Sequence, residues 1–260
     1  MLMVVYVNRP AAIGVPNGCE AEYEMIQQRL AVPEFPPQSD TECLNLTVTV
    51  PESPGRKKLP VFVFIHGGGL TTGSGTWPQY DHAAIVRRSV ELGKPIIGVN
   101  INYRTGIYGF LTSEELRTAG FTANNGLRGQ NVAFQWIKKF ISGFDGDPGQ
   151  ITAVGQSAGG ACATLLLQSP KPLFNRMVVM SGTSLALRPE PMSLHELFYE
   201  QFCEIHGLAD ISGAQRVEAL NKIDSHELLQ KTPPSIPSLP ALDNDFSSHH
   251  IHVLQRQRLA

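Results

Sequence analysis

The 260-residue chain has no cysteine pairs at metal or redox spacing, no excess of either charge and no long apolar run. Each absence removes a class of function. None of its four cysteines, Cys19, Cys43, Cys162 and Cys203, belongs to a CxxC pair, so a zinc or dithiol site is not expected. The plain reading is four buried thiols, although Cys19 and Cys43 precede the first clear strands and are placed to close a modest loop in an oxidising compartment. A formal net charge of −2 offers no electrostatic footprint for nucleic acid or an anionic membrane surface. The longest apolar run, around Leu59 to Ile65, is strand-sized and cannot span a bilayer. The first residues, MLMVVYVNRP, carry no basic n-region and no full apolar h-region, so no signal peptide is expected. Compartment and oligomeric state are left open. Internal repeats and low-complexity tracts are also missing.

What is present is a globular composition, 42% hydrophobic and 17% charged, enough for a sizeable core. LNLTVTVP (44–51) alternates with period two, as a half-buried strand does. VFVFIHGGG (61–69), PIIGVNINYR (95–104), ITAVG (151–155) and RMVVMSG (176–182) are short, continuous and apolar, the habit of strands covered on both faces. Between them YDHAAIVRRSVELG (80–93) predicts a helix with Ala84, Ile85 and Val90 inward. LRGQNVAFQWIKKFISGF (127–144) predicts another, with a stripe of Val132, Phe134, Trp136, Ile137, Phe140 and Ile141. LHELFYEQFCEIHGL (194–208) is a third. This alternation predicts one α/β domain with a mostly parallel central sheet and helices on both faces. From 232 to 260 the pattern thins to an extended, poorly packed tail.

ITAVGQSAGGACATLLLQ (151–168) carries the clearest chemistry. Gly-Gln-Ser-Ala-Gly between a strand and a helix is the arrangement in which a sharp turn strains a serine and exposes its hydroxyl. Ser157 is the expected nucleophile. Gly155 and Gly159 stand where the strand and helix backbones crowd together. The second element is His66-Gly67-Gly68-Gly69, directly after a strand, whose glycines let backbone amides turn toward a developing oxyanion. Gly68, Gly69 and the amide of Ala158 are assigned to that hole, with His66 orienting the loop. Leu70-Thr71-Thr72 follows, so this is no phosphate-binding P-loop.

With both elements in place, the chain resembles the type-B carboxylesterases, the α/β-hydrolase family that includes the cholinesterases. TECLNLTVTVP (41–51) resembles the family's Glu-Asp-Cys-Leu strand, with Thr41-Glu42 for Glu-Asp. LPVFVFIHGGG (59–69) is similar to its oxyanion segment, and VNINYRTGIYGFL (99–111) to its Asn-Tyr-Arg strand and turn. NNGLRGQNVAFQWIKKFISGFDGDPGQITAVGQSAGG (124–160) covers its long signature, the most specific match. The resemblance spans residues 17 to 250. It implies an α/β-hydrolase fold, hydrolysis of a small-molecule carboxylic ester through an acyl-serine, no metal or organic cofactor, and a disulfide between Cys19 and Cys43. Gln156 stands for the usual glutamate and Gly129 for an aspartate.

The family order of serine, acid and histidine places the last two after Ala260, in strands and helices that this chain would lack. Asp243 or Asp245 with His249, His250 or His252 has the right order, but these residues sit too close together to come from two different strand ends. A solvated tail is the plainer reading. Two further readings stay open: a non-catalytic binding module like the neuroligin-type adhesion proteins, and a shorter hormone-sensitive-lipase-like esterase. The chain's own activity and ester specificity are not legible at this level. Without later strands, the run from Arg176 to Ser181 is expected to form an exposed apolar edge.

Overall fold

The structure is a computed structural model that describes residues 2–5, 10–15, 17–26, 30–31, 37–52 and 58–246. Its strands are β1 (Leu2–Val5), β2 (Ala11–Ala12), β3 (Gln38–Ser39), β4 (Leu46–Pro51), β5 (Leu59–Ile65), β6 (Ile97–Ile101), β7 (Gly146–Gln156), β8 (Arg176–Met180), β9 (Glu190–Pro191) and β10 (Ala241–Leu242). The α-helices are α1 (Gly18–Ile26), α2 (Ala83–Glu91), α3 (Gly106–Phe110), α4 (Glu114–Thr118), α5 (Asn125–Phe140), α6 (Ala158–Leu165), α7 (Met192–Ile205), α8 (Gly213–Leu220) and α9 (Ser225–Lys231).

Six strands form the central sheet in the order β1-β4-β6-β5-β7-β8. The four apolar runs read as two-face-buried strands, β6, β5, β7 and β8, are its parallel part, while β4 and β1 add antiparallel at one side. Crossovers through α2, α5 and α6 cover both faces of β5, β6 and β7, because strands this apolar have no face to leave in water. By contrast β8, expected to be buried on both faces, is exposed on both at the sheet edge. On one face Val48, Val63, Val99 and Ile65 pack with Phe134 and Ile137 of α5 and Cys162 of α6. On the other, Phe64 packs with Cys19 and Tyr23 of α1 and with Trp77 and Tyr80. The neighbours β6 and β7 flank β5, so the chain reverses direction across the sheet at β5. Ligand crevices in open α/β sheets lie outside the carboxyl ends of strands at such a point.

Several expectations are corrected. The inward residues of α2 are Val86 and Ser89, with His82 just before it, whereas Ile85 and Val90 are exposed. Ser89 is buried at little cost because its hydroxyl donates to the Val86 carbonyl at 2.6 Å and accepts from the Ile96 amide at 3.1 Å. In α5 Phe134 and Ile137 are buried as expected, but Val132 and Phe140 are exposed. Cys19 and Cys43 are buried free thiols and not a disulfide. Cys19 Sγ faces Gln79 Oε1 at 3.7 Å, while Cys43 Sγ faces the Asp40 carbonyl of its own turn at 3.9 Å. The segment read as a loose tail is packed as far as Phe246: Ile236, Ala241 and Asp243 are buried, and β10 pairs with β9. Residues 247–260, with His249, His250 and His252, lie outside the described residues.

Among the described residues β8 pairs with β7 alone, and its Met177, Val178 and Met180 are each more than 40% exposed. An unpaired, apolar strand edge is a template for intermolecular pairing. Val178→Lys is expected to raise the protein concentration at which light scattering first appears. An unchanged onset would place self-association on another surface.

Candidate active site

The site is built where β5 and β7 end side by side. Their register pairs Ile65 with Gly155, so the glycine loop that follows β5 meets the turn that follows β7. At that turn Ser157 has φ 53° and ψ −124°, a combination that L-residues rarely adopt and that costs about 1–3 kcal/mol. The surroundings hold it there. The Ser157 amide donates to the Met180 carbonyl of β8 at 2.8 Å, and its carbonyl accepts from the amides of Gly160 (2.9 Å) and Ala161 (3.2 Å) in α6. Gly155 and Gly159 occupy the crowded places expected of them: a Cβ on Gly155 would lie 2.3 Å from the Gly159 carbonyl oxygen, and one on Gly159 would lie 2.1 Å from that of Ile65.

The glycine loop is pressed against this elbow. A Cβ on Gly67 would sit 2.6 Å from Gln156 Oε1 and 3.0 Å from Ser157 Cβ. Gly68 and Gly69 turn through φ 91° and 62°, which glycine alone adopts freely. The Gly68 carbonyl is tied down by the Thr71 amide (3.0 Å), the Thr72 amide (3.1 Å) and the Thr71 hydroxyl (3.1 Å). Among the described residues none accepts a hydrogen bond from the amides of Gly68, Gly69 or Ala158. Ala158 is also the first residue of α6, where helix amides are left without partners. Three uncommitted donors thus sit on the two turns that meet at Ser157.

His66 is fully buried beneath the loop. Its Nδ1 lies 3.0 Å from the Gly67 carbonyl, which can only accept, so Nδ1 carries the proton. The ring stacks on Tyr103 at 4.3 Å, and the Tyr103 hydroxyl donates to the His66 carbonyl at 2.9 Å. Burial pushes the imidazole down to about pKa 4, with the Gly67 bond opposing it. In the folded chain this histidine is neutral and packed beneath the loop. An unfolded histidine titrates near 6.5, so between 6.5 and 4 the unfolded chain binds the proton and the folded one does not. Stability is expected to be full above pH 6.5 and to fall as pH drops toward 4, by on the order of 3 kcal/mol from this group. Thermal melts across that window check it; the slope should be shallower in His66→Gln.

No histidine or carboxylate among the described residues is hydrogen-bonded to the Ser157 hydroxyl. Asp243 and Asp245 are committed elsewhere. Arg128 of α5 holds Asp243 at 3.1 Å and Asp245 at 2.7 Å. Among the described residues no three His, Cys, Asp or Glu side chains gather as a metal site. Sequence reasoning missed two supports. A Cβ on Gly73 would lie 2.2 Å from His66 Nδ1, and one on Gly182 would lie 2.1 Å from the Ser157 carbonyl oxygen. The only signal for Gly182 was its place at the end of the RMVVMSG run.

Comparison with known proteins gives the family and the fold. The model of the Carboxylesterase family matches residues 11–258. The chain is 31% identical over 246 residues to esterase cest-33 of Caenorhabditis elegans, covering 88% of this chain and 42% of that protein. It is 38% identical over 163 residues to the para-nitrobenzyl esterase of Bacillus subtilis, covering 62% and 32% respectively. The fold superposes on carboxylesterase EST55 of Geobacillus stearothermophilus with a TM-score of 0.72 and 30% identity, over 88% of this chain and 47% of that one. The chain therefore spans less than half the length of the relatives it matches. A strained serine beside a locked glycine loop on an α/β-hydrolase sheet, with a family match over nearly every residue, makes the chain a member of the carboxylesterase family.

Proposed function

We propose that the chain carries the nucleophile and oxyanion hole of a carboxylic ester hydrolase. The observation that supports this most directly is Ser157, held at φ 53° and ψ −124° between the start of α6 and the glycine loop. The Ser157 oxygen attacks the ester carbonyl carbon, and its proton passes to a histidine supplied from outside the described residues. The carbonyl oxygen, now negative, is received by the amides of Gly68, Gly69 and Ala158. The bond to the alcohol breaks, the alcohol leaves with the proton, and water then releases the acid from the acyl-serine. This route draws on side chains and backbone amides alone. Donors fixed before reaction need no reorganisation as charge develops, and each such donor contributes about 3 kcal/mol of barrier lowering.

Prolonged incubation with a fluorophosphonate probe tests the reading, because the probe is strongly electrophilic and its phosphonyl oxygen would be received by the same amides, so that attack by the exposed Ser157 proceeds slowly with water taking the proton. The wild-type chain is expected to be labelled and Ser157→Ala to remain unlabelled. A folded wild-type chain that takes no label would overturn the proposal and favour a non-catalytic binding module built on the same fold.

A further inference from the structure

Residues 102–106, which follow β6, grip the glycine loop at three places: its outgoing leg, its tip and its returning leg. On the outgoing leg the Tyr103 hydroxyl donates to the His66 carbonyl at 2.9 Å. At the tip the amide of Gly106, the first residue of α3, donates to the Leu70 carbonyl at 2.6 Å. On the returning leg Asn102 Oδ1 accepts from the Gly75 amide at 2.7 Å and from the Ser74 hydroxyl at 3.1 Å. Tyr103, Leu70, Asn102 and Ser74 are all buried, so bulk water does not compete for these bonds.

The orientation of Asn102 is fixed from both sides. The Gly75 amide can only donate, so Oδ1 faces the loop. Asn102 Nδ2 then donates to Asn45 Oδ1 at 2.8 Å, and Asn45 Nδ2 donates to the Pro10 carbonyl at 2.7 Å. A backbone bond from the Asn102 amide to the Asn45 carbonyl, 2.9 Å, braces the same pair. The loop between the two legs has little slack. A Cβ on Gly68 would lie 2.3 Å from the Thr72 carbonyl oxygen, and one on Gly73 would lie 2.2 Å from His66 Nδ1. The returning leg is therefore pressed on the outgoing one, and a shift of either is passed to Gly68 and Gly69.

Oxyanion donors act through placement fixed before the reaction, and a misplacement of about 1 Å costs on the order of 10²-fold in rate. Both bonds that Asn102 Oδ1 accepts come from the loop, and so does the acceptor of the Tyr103 hydroxyl. Two consecutive side chains thus hold the two legs of one turn. We propose, on the assignment of Ser157, Gly68 and Gly69 made above, that Asn102 and Tyr103 are positioning residues for ester hydrolysis, which fix both legs of the glycine loop and so set its amides against Ser157.

The test is the rate of fluorophosphonate labelling of the folded chain, followed over a range of probe concentrations. Asn102→Ala removes the bonds to the returning leg. Tyr103→Phe removes the bond to the outgoing leg and keeps a ring stacked on His66. The limiting rate constant is expected to fall about tenfold in Tyr103→Phe and further in Asn102→Ala, with the half-saturating probe concentration changed less than about twofold. A merely structural role would lower the labelled fraction and leave the rate constant of the folded molecules alone. Ser89→Ala is the control, since it cuts a buried bond to the Ile96 amide at the opposite end of β6; it should label at the wild-type rate. An unchanged limiting rate in either folded variant would overturn the proposal, as would an equal fall in Ser89→Ala. Tyr103→Phe decides alone if Asn102→Ala does not fold. A folded wild type that takes no label overturns the esterase reading itself, and the positioning role falls with it.

Discussion

Gly159→Ala is expected to yield no soluble folded protein. The added Cβ would lie 2.1 Å from the Ile65 carbonyl oxygen, 2.6 Å from that of His66 and 2.7 Å from the Ile65 carbonyl carbon. All three are backbone atoms at the end of β5, so no side chain can swing away. Relief requires α6 to lift off the sheet or β5 to leave its register with β7. Either would undo the buried contacts of Ile65, Cys162 and Ala163 as well as the elbow. A clash of this kind costs more than about 4 kcal/mol against a typical total of about 5–15 kcal/mol. Soluble yield and a thermal melt give the answer. Gly143→Ala is the control, since a Cβ there meets nothing within 4 Å, and its melt should match the wild type. A Gly159→Ala protein that melts like the wild type would show that helix and strand do not meet as described.

Asn124→Ala is expected to lose about 3 kcal/mol and to release the chain around β10. Asn124 is buried with φ 58°, just before α5. Its side-chain nitrogen donates to the Ala241 carbonyl at 2.9 Å and its oxygen accepts from the Ala241 amide at 2.8 Å. Alanine leaves both groups of Ala241 without partners, at roughly 1–3 kcal/mol each, and tolerates the left-handed backbone poorly. Urea unfolding gives the loss. Limited proteolysis should show new cleavage between residues 232 and 246. Asn124→Gly separates the two causes, because glycine accepts the backbone angle; it should recover about 1 kcal/mol of the alanine loss. Equal losses in both variants would assign the whole effect to the hydrogen bonds, while no loss in either would mean that Asn124 does not hold β10.

This clamp also marks where reading the sequence stops. The segment at 232–246 has no apolar period, and it is held by hydrogen bonds across 117 positions and by the Arg128 pairs with Asp243 and Asp245. Contacts that distant leave no local pattern. The inward face of α2 was hidden for a related reason. Ser89 becomes a core residue because the carbonyl of Val86 and the amide of Ile96 satisfy it, and hydrophobic periodicity counts it as a surface position. The cysteines went the same way: their order along the chain permits a loop, and their packing against different neighbours gives two separate thiols.

The sequence by itself determined the strand-helix alternation, the presence of a serine turn and a glycine loop each following a strand, and the resemblance to the carboxylesterases. Those features are local, encoded in apolar runs and in glycines that must stand beside a tight turn. Only the tertiary structure decided that the loop after β5 touches the turn after β7. It also decided that His66 is buried and neutral, and that Gly73 and Gly182 leave the room that His66 and the Ser157 backbone fill. These depend on strand register and on atoms far apart in the chain, which meet only once the sheet has formed.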